Sequence, residues 1–205
     1  FEFIFFQDKK IKTSIDISNS FLEIVRSSYS NTSKNYSQNY NFLLFYTSLS
    51  ILSNPQNYEA IFIKGQLLQI LKNYFFAEVT YLKIPEKNEF FLEAQRKIAF
   101  NYSYIKKGDD VENKIISIVK KNNEDHELKK ILADFYRIEK KYDLAINIYS
   151  DLIQNNFGEA WHIFYLRGIC HEQSNNWKKA ELDFVQSLAM KKDSPNVLNY
   201  LAYGW

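Results

Sequence analysis

Of the residue types that commonly carry chemistry, this 205-residue chain offers three histidines, one cysteine and a few paired acids. His162 and His171 are nine residues apart. Nine steps of about 100° put them on opposite sides of one helix, so they cannot share a metal ion. His171 falls where a packing residue is wanted, and Cys170 stands beside it. Adjacent helical side chains diverge, so the two cannot act as a nucleophile and its base. Asp109-Asp110 and Glu124-Asp125 fall at turns, and Asp110 or Asp125 suits the cap of a following helix better than acid–base work. The sequence contains no G-x-G-x-x-G, no G-x-x-x-x-G-K-[ST] and no H-E-x-x-H, so nucleotide-phosphate and zinc-protease readings have no motif behind them. No catalytic residue, cofactor or metal is expected, and the chain is not expected to be an enzyme.

The elements that would position any site must be helices. The chain is 46% hydrophobic and 24% charged, enough for a core, while 5 glycines and 3 prolines are too few for a protein of many tight turns. One cysteine excludes a disulfide framework. A net charge of +2 gives no nucleic-acid footprint, and the lysine pairs, such as Lys140-Lys141 and Lys178-Lys179, are expected near helix ends, where lysine at a C-terminus would complement the helix dipole. The opening FEFIFF is too short and too poorly flanked for a signal peptide or a membrane span. The compartment stays open, with the cytoplasm as default. Because the chain starts at Phe1 and ends inside an apolar helical pattern at Trp205, it reads as a piece of a longer protein from which a signal peptide could have been lost.

Internal periodicity is the main signal. The small residues Gly65, Ala99, Ala133, Gly168 and Ala202 are spaced 34, 34, 35 and 34 apart. Ala77, Val111, Ala145 and Ala180 form a second row, and Tyr81, Ile115, Tyr149 and Phe184 a third, with the same steps. A fourth runs Tyr74, Gly108, Tyr142, Trp177, with Gly108 as its break. Asn156-Phe157-Gly158 lies in the connection that takes the extra residue. Small residues let two helices of a pair approach closely, and the bulky residue four places after the second small one lies on the same face and fills the gap.

This register resembles the tetratricopeptide repeat, a 34-residue helix–turn–helix unit. Gly168, Trp177, Ala180 and Phe184 occupy signature places, as do Gly65, Tyr74, Ala77 and Tyr81. The Leu-Gly pair usual in the family becomes Lys64-Gly65 and Arg167-Gly168. Repeat 92–125 is the weakest match. The wording of the C-terminal stretch resembles larger tetratricopeptide-repeat proteins of alphaproteobacteria. The resemblance implies an all-α, right-handed superhelical solenoid of antiparallel helix pairs. It predicts repeats at 58–91, 92–125, 126–160 and 161–194 and an incomplete one at 195–205, preceded by a degenerate helical hairpin at 21–57. Residues 1–20 are ambiguous.

In the resembled family, the first helices of the pairs line a concave groove. Carried over place by place, the lining here is Phe62, Gln66 and Gln69, then Arg96, Phe100 and Ser103. It continues with Lys130, Asp134 and Arg137, then Tyr165, Ile169 and Glu172, and ends at Asn199 and Tyr203. Aromatics, amides and both charges together suit an extended peptide or a partner helix. Chaperone-binding members grip a terminal carboxylate with Lys and Asn. Here Asp134 follows Lys130 and would repel one, which argues against that role. The implied function is a non-catalytic protein-interaction scaffold with a protein or peptide partner, no nucleic acid and no membrane span. The alternatives are the substrate-docking arm of a larger glycosyltransferase or protease, and a cell-envelope assembly factor. The face of Leu198, Leu201, Ala202 and Trp205 lacks a covering helix, which predicts self-association through the incomplete C-terminal repeat.

Overall fold

A computed structural model describes residues 13–30, 40–105 and 109–204. Among these residues it consists of helices joined by turns, with no strand, and it divides into two compact units, Phe1–Ile98 and Ala99–Trp205. FEFIFF, the polar connection 31–39, Gly108 and Trp205 lie outside the described residues.

Unit 1 contains α1 (Ser14–Ser30), α2 (Tyr40–Ser53), α3 (Tyr58–Ile70), α4 (Tyr74–Tyr81) and the first half of α5 (Phe91–Ile105). α1 starts inside the stretch that the apolar pattern leaves ambiguous. Its signal is Thr13-x-x-Asp16: the Thr13 amide donates to Asp16 Oδ2 at 3.1 Å and the Asp16 amide to Thr13 Oγ1 at 3.3 Å, a reciprocal cap. α1 and α2 pack on each other, as do α3 and α4. The core of the unit holds Leu22, Val25, Leu43, Ala60 and Leu67. A buried polar knot lies within it. The Ser18 and Ser50 hydroxyls each donate to the other's carbonyl at 2.8 and 2.9 Å, and Asn57 Nδ2 donates to the Ser18 hydroxyl at 3.0 Å. Asn57 also caps α3, accepting from the Ala60 amide at 3.1 Å. One asparagine therefore fixes where α3 begins and ties it to α1 and α2.

Unit 2 contains the rest of α5, then α6 (Asp109–Lys121), α7 (His126–Ile138), α8 (Tyr142–Gln154), α9 (Ala160–Gln173), α10 (Trp177–Met190) and α11 (Pro195–Gly204). Its packed pairs are α7 with α8 and α9 with α10, and α8 packs in turn on α9. Asp125 caps α7, accepting from the Leu128 amide at 2.8 Å. Asp110 instead lies inside the first turn of α6, paired with Lys114 at 3.1 Å, so it is not the cap.

The turns within pairs share one geometry. Lys72, Lys140 and Asn175 adopt the left-handed conformation, with φ of 59°, 59° and 58°. The amide after each donates back five residues at 2.8 Å, to the carbonyls of Leu68, Tyr136 and His171, closing the first helix of the pair. Asn156 and Gly158 also have positive φ, at 51° and 64°, in the connection that carries the extra residue.

The small-residue row marks close contacts. A Cβ on Gly65 would stand 2.3 Å from Tyr81 Cε1, and one on Gly168 would stand 2.7 Å from Phe184 Cε1. Ala99 and Ala133 are fully buried. Ala202, the last member of the row, is exposed.

Candidate functional site

Helix α7 supplies the densest set of expected lining residues. Asp134 accepts from Lys130 Nζ at 2.8 Å, lies 3.6 Å from an Arg137 guanidinium nitrogen, and accepts from the Tyr149 hydroxyl of α8 at 2.6 Å. Lys130, Asp134 and Arg137 share a face because they stand four and three residues apart. Their side chains are 18–26% exposed, a partly sheltered setting in which charge pairs are screened less than at an open surface. Burial, then the Asp134 carboxylate, pushes the Tyr149 phenol far above its ordinary value, so Tyr149 remains a donor. Among the described residues, buried Arg137 Nε has no hydrogen-bond partner.

Helix α9 adds aromatic surface. Tyr165 lies 6.3 Å from the His162 ring and 6.0 Å from Tyr200 of α11, which itself stacks on Phe184 at 5.0 Å. Burial raises the Tyr165 and Tyr200 phenols, and nearby Arg137 opposes the rise at both. Burial, with Lys130 nearby, lowers His162, which favours the neutral ring. Within unit 2 the fold thus gathers two cations, one carboxylate between them and a half-buried aromatic wall. Tyr149, His162 and Tyr200 are the members that the lining pattern missed. Tyr149 reads as a pure core aromatic because its ring fills the repeat gap, and only its hydroxyl reaches the face.

The other expected residues are placed as follows. Ile169 is half-buried against the cluster of Ala180, Phe184, Val197 and Leu201. Glu172 accepts from Gln173 at 2.6 Å, Asn199 is exposed, and the Tyr203 side chain lies outside the described residues. Phe100 is 45% exposed, while Ser103 is buried with its hydroxyl on the Phe100 carbonyl at 2.8 Å. In unit 1, Phe62 is buried, stacked on Phe90 at 5.3 Å and tilted against Tyr81 at 5.8 Å, so it packs inside rather than at an open surface. Gln69 accepts from the Tyr81 hydroxyl at 2.6 Å, Gln66 is half-buried, and Arg96 pairs with Glu93 at 3.0 Å.

The residues of chemically reactive type are engaged otherwise. Cys170 is fully buried, and burial pushes its thiol up to about 12, far from a reactive thiolate. His171 is buried and held below its ordinary value by that burial, with Asp183 at 4.0 Å acting the other way. Asp183 is bound in a fork by Arg167 at 2.7 and 2.8 Å, and Arg167 also donates to the Ser150 hydroxyl at 2.9 Å. Among the described residues no group of three or more His, Cys, Asp or Glu could hold a metal ion, and no helix is long and apolar enough to cross a membrane. At the C-terminus, Val197 and Leu201 are buried against Ala180 and Phe184, which corrects the expectation that Leu201 lacks a cover. Leu198 and Ala202 are the exposed members of that face.

No family model and no curated protein matches the sequence. Solved structures do match the fold. MamA from Desulfovibrio magneticus RS-1 superposes with a TM-score of 0.70 at 14% identity, covering 88% of this chain and 98% of that one. PilF of Pseudomonas aeruginosa gives 0.64 at 13% identity, covering 93% and 82%. YrrB, described as a TPR protein with an unusual peptide-binding site, gives 0.61 at 12% identity, covering 90% and 99%. The chain has the tetratricopeptide-repeat fold, an all-α arrangement of helix pairs.

Proposed function

We propose that this chain is a protein-interaction scaffold without chemistry of its own, and that unit 2 holds an extended peptide or a partner helix against α7, α9 and α11. The observation that carries the reading is the cluster of Lys130, Asp134 and Arg137 beside Tyr165 and Tyr200. Its side chains are fixed by their own hydrogen bonds and packing before a partner arrives, and such preorganisation lowers the ordering cost of binding. Asp134 already bridges two cations and accepts from Tyr149, so the face offers a cation–acid–cation pattern rather than a carboxylate clamp. Aromatic rings and arginine are the groups that most often dominate binding energy at such surfaces. The likeness to a peptide-binding protein of the same fold supports a peptide as the partner class. The consumption of Cys170, His171 and Asp125 in packing, pairing and capping supports the absence of catalysis.

In unit 1, Gln66, Gln69 and Arg96 are the corresponding proposal for α3 and α5, to be tested separately. Self-association through α11 would rest on Leu198 and Ala202, a small surface.

The test is selection of peptides from a displayed library on the intact chain, followed by titration. Reversing Lys130 and Arg137 to Glu should weaken the selected peptides by about tenfold or more, which is about 1.4 kcal/mol. Arg96→Glu probes unit 1 in the same way. Peptides that bind the Lys130/Arg137 reversal as tightly as the wild type would show that the α7 face is not the site.

A further inference from the structure

The second helices of the pairs differ sharply between the units. α2 carries no charged residue, and α4 carries Glu78 alone. In the repeat register, the places of Phe75 and Phe76 in α4 are held by Asp109 and Asp110 in α6. In α8 they are held by Asp143 and Leu144, and in α10 by Lys178 and Lys179. In unit 2 charged residues hold most of these places, although Leu144 (44%) on α8 and Leu182 (62%), Val185 (46%) and Met190 (54%) on α10 are exposed among them. Unit 1 exposes Phe45 (57%) and Leu52 (79%) on α2, Phe75 (63%), Phe76 (55%) and Val79 (42%) on α4, and Leu82 (61%) at its C-terminal cap. These are not groove residues, which belong to the first helices of the pairs.

We propose that this outer face of unit 1 is a self-association surface, on which a second copy of the chain packs its own α2 and α4 across a two-fold axis. Two observations select that occupant. The first is area. The six side chains leave about 600 Å² of apolar surface, taking roughly 200 Å² for a whole aromatic side chain and somewhat less for an aliphatic one. Phe45 and Val79 stand 34 residues apart, one repeat, so they hold the same place on successive second helices. Two such faces brought together remove about 1,200 Å², the lower edge of the range for stable interfaces. The second is charge. Residues 72–89 carry three lysines (Lys72, Lys83, Lys87) and three glutamates (Glu78, Glu86, Glu89), and α2 carries none. A balanced face has no field to draw an anionic lipid surface or a strongly charged partner, and it meets its own copy without like-charge repulsion. Neutral, apolar and self-complementary surfaces are those that homodimers use.

The experiment is sedimentation velocity on the full chain across about 1–100 µM, because an interface at the low end of the size range corresponds to roughly micromolar affinity. The wild type should shift from monomer to dimer across this range. The pair Phe45→Glu/Phe75→Glu, and separately Phe45→Lys/Phe75→Lys, should each stay monomeric with wild-type circular dichroism. An equimolar mixture of the two should dimerise again, because an acidic face then meets a basic one. If the charged variants lose helix signal, Phe45→Ser/Phe75→Ser replaces them, and a dimer that survives in it overturns the proposal. A wild type monomeric at about 100 µM overturns it too. So does a dimer that the Phe45/Phe75 variants leave intact and Leu198→Glu on α11 abolishes, since that puts the contact at the C-terminal helix. A wild type that stays monomeric but sediments with phosphatidylcholine vesicles assigns the face to lipid, and that also overturns self-association.

Discussion

The two glycines of the small-residue row allow a ranked prediction. A helix-interior glycine costs roughly 0.5–1 kcal/mol relative to alanine, so Gly→Ala at an open position would stabilise. Here the added methyl meets a ring. At Gly65 it would stand 2.3 Å from Tyr81 Cε1 and 2.6 Å from Cζ; at Gly168 it would stand 2.7 Å from Phe184 Cε1 and 2.9 Å from Cδ1. Both rings are fully buried. Tyr81 is also tethered, because its hydroxyl donates to Gln69 at 2.6 Å, so its ring cannot slide away without stretching that bond. Phe184 has no hydroxyl to hold it. Overpacking a close contact typically costs about 1–3 kcal/mol. Net of the helix gain, Gly65→Ala should cost about 1–2 kcal/mol and Gly168→Ala about 1 kcal/mol or less. Gly168→Leu, with far more volume to place, should cost about 2 kcal/mol or more.

The two units can be read by different probes. All three tryptophans (Trp161, Trp177 and Trp205) lie in unit 2, so intrinsic Trp fluorescence follows that unit, whereas far-ultraviolet circular dichroism follows both. Gly65→Ala should lower the dichroism transition of unit 1 by about 5–10 °C. Gly168→Ala should produce a smaller shift, visible in fluorescence. Tyr81→Leu added to Gly65→Ala should recover part of the loss, since contacting sites couple. A Gly65→Ala protein melting at or above wild type, or a larger loss for Gly168→Ala than for Gly65→Ala, would refute the close-contact reasoning.

Other perturbations have different signs. Asp125→Ala removes the cap that the Leu128 amide uses and should cost about 1 kcal/mol by denaturant titration; Asp125→Asn or Asp125→Ser should retain most of it. Asp183→Ala leaves the Arg167 fork without its partner inside unit 2 and should cost about 3–5 kcal/mol, whereas replacing both residues by apolar ones of similar volume should cost much less. Lys140→Gly should stabilise by about 1 kcal/mol, because a left-handed non-glycine residue costs roughly 1–2 kcal/mol; equal or lower stability would count against the turn geometry. Stability should fall at both ends of the pH scale. Burial lowers His171, so its contribution is present above about pH 6.5 and lost as the pH falls below that, and His171→Gln should flatten the acid limb. Tyr149 is raised, so its contribution is present below about pH 10 and lost as the pH climbs past that value, and Tyr149→Phe should flatten the alkaline limb.

What sequence spacing could reveal depended on whether the physical cause recurs at the repeat period. The contact of Gly168 with Phe184 spans sixteen residues, as does that of Gly65 with Tyr81, and because each recurs it leaves rows of small and bulky residues that a scan can find. The departures from the repeat pattern obey the same spacing but hide it. Arg167 and Lys64 take the place where leucine is usual, and each looks like a flaw on its own. In the fold, Arg167 grips Asp183 sixteen residues ahead, and Lys64 donates to the Ser48 hydroxyl sixteen residues behind at 3.0 Å. Each cation has exchanged apolar packing for a polar partner on the adjacent helix. A pairing that occurs once per chain leaves no row behind it. The same holds for the Ser18, Ser50 and Asn57 knot, where small polar residues do the work of a core and hydrophobic patterning is silent. It holds again for Tyr149, whose ring obeys the repeat and whose hydroxyl alone reaches Asp134. The candidate site was therefore legible as a helix face but not as a network. Periodicity finds what every repeat needs, and the individual character of this protein lies in the contacts that only one repeat makes.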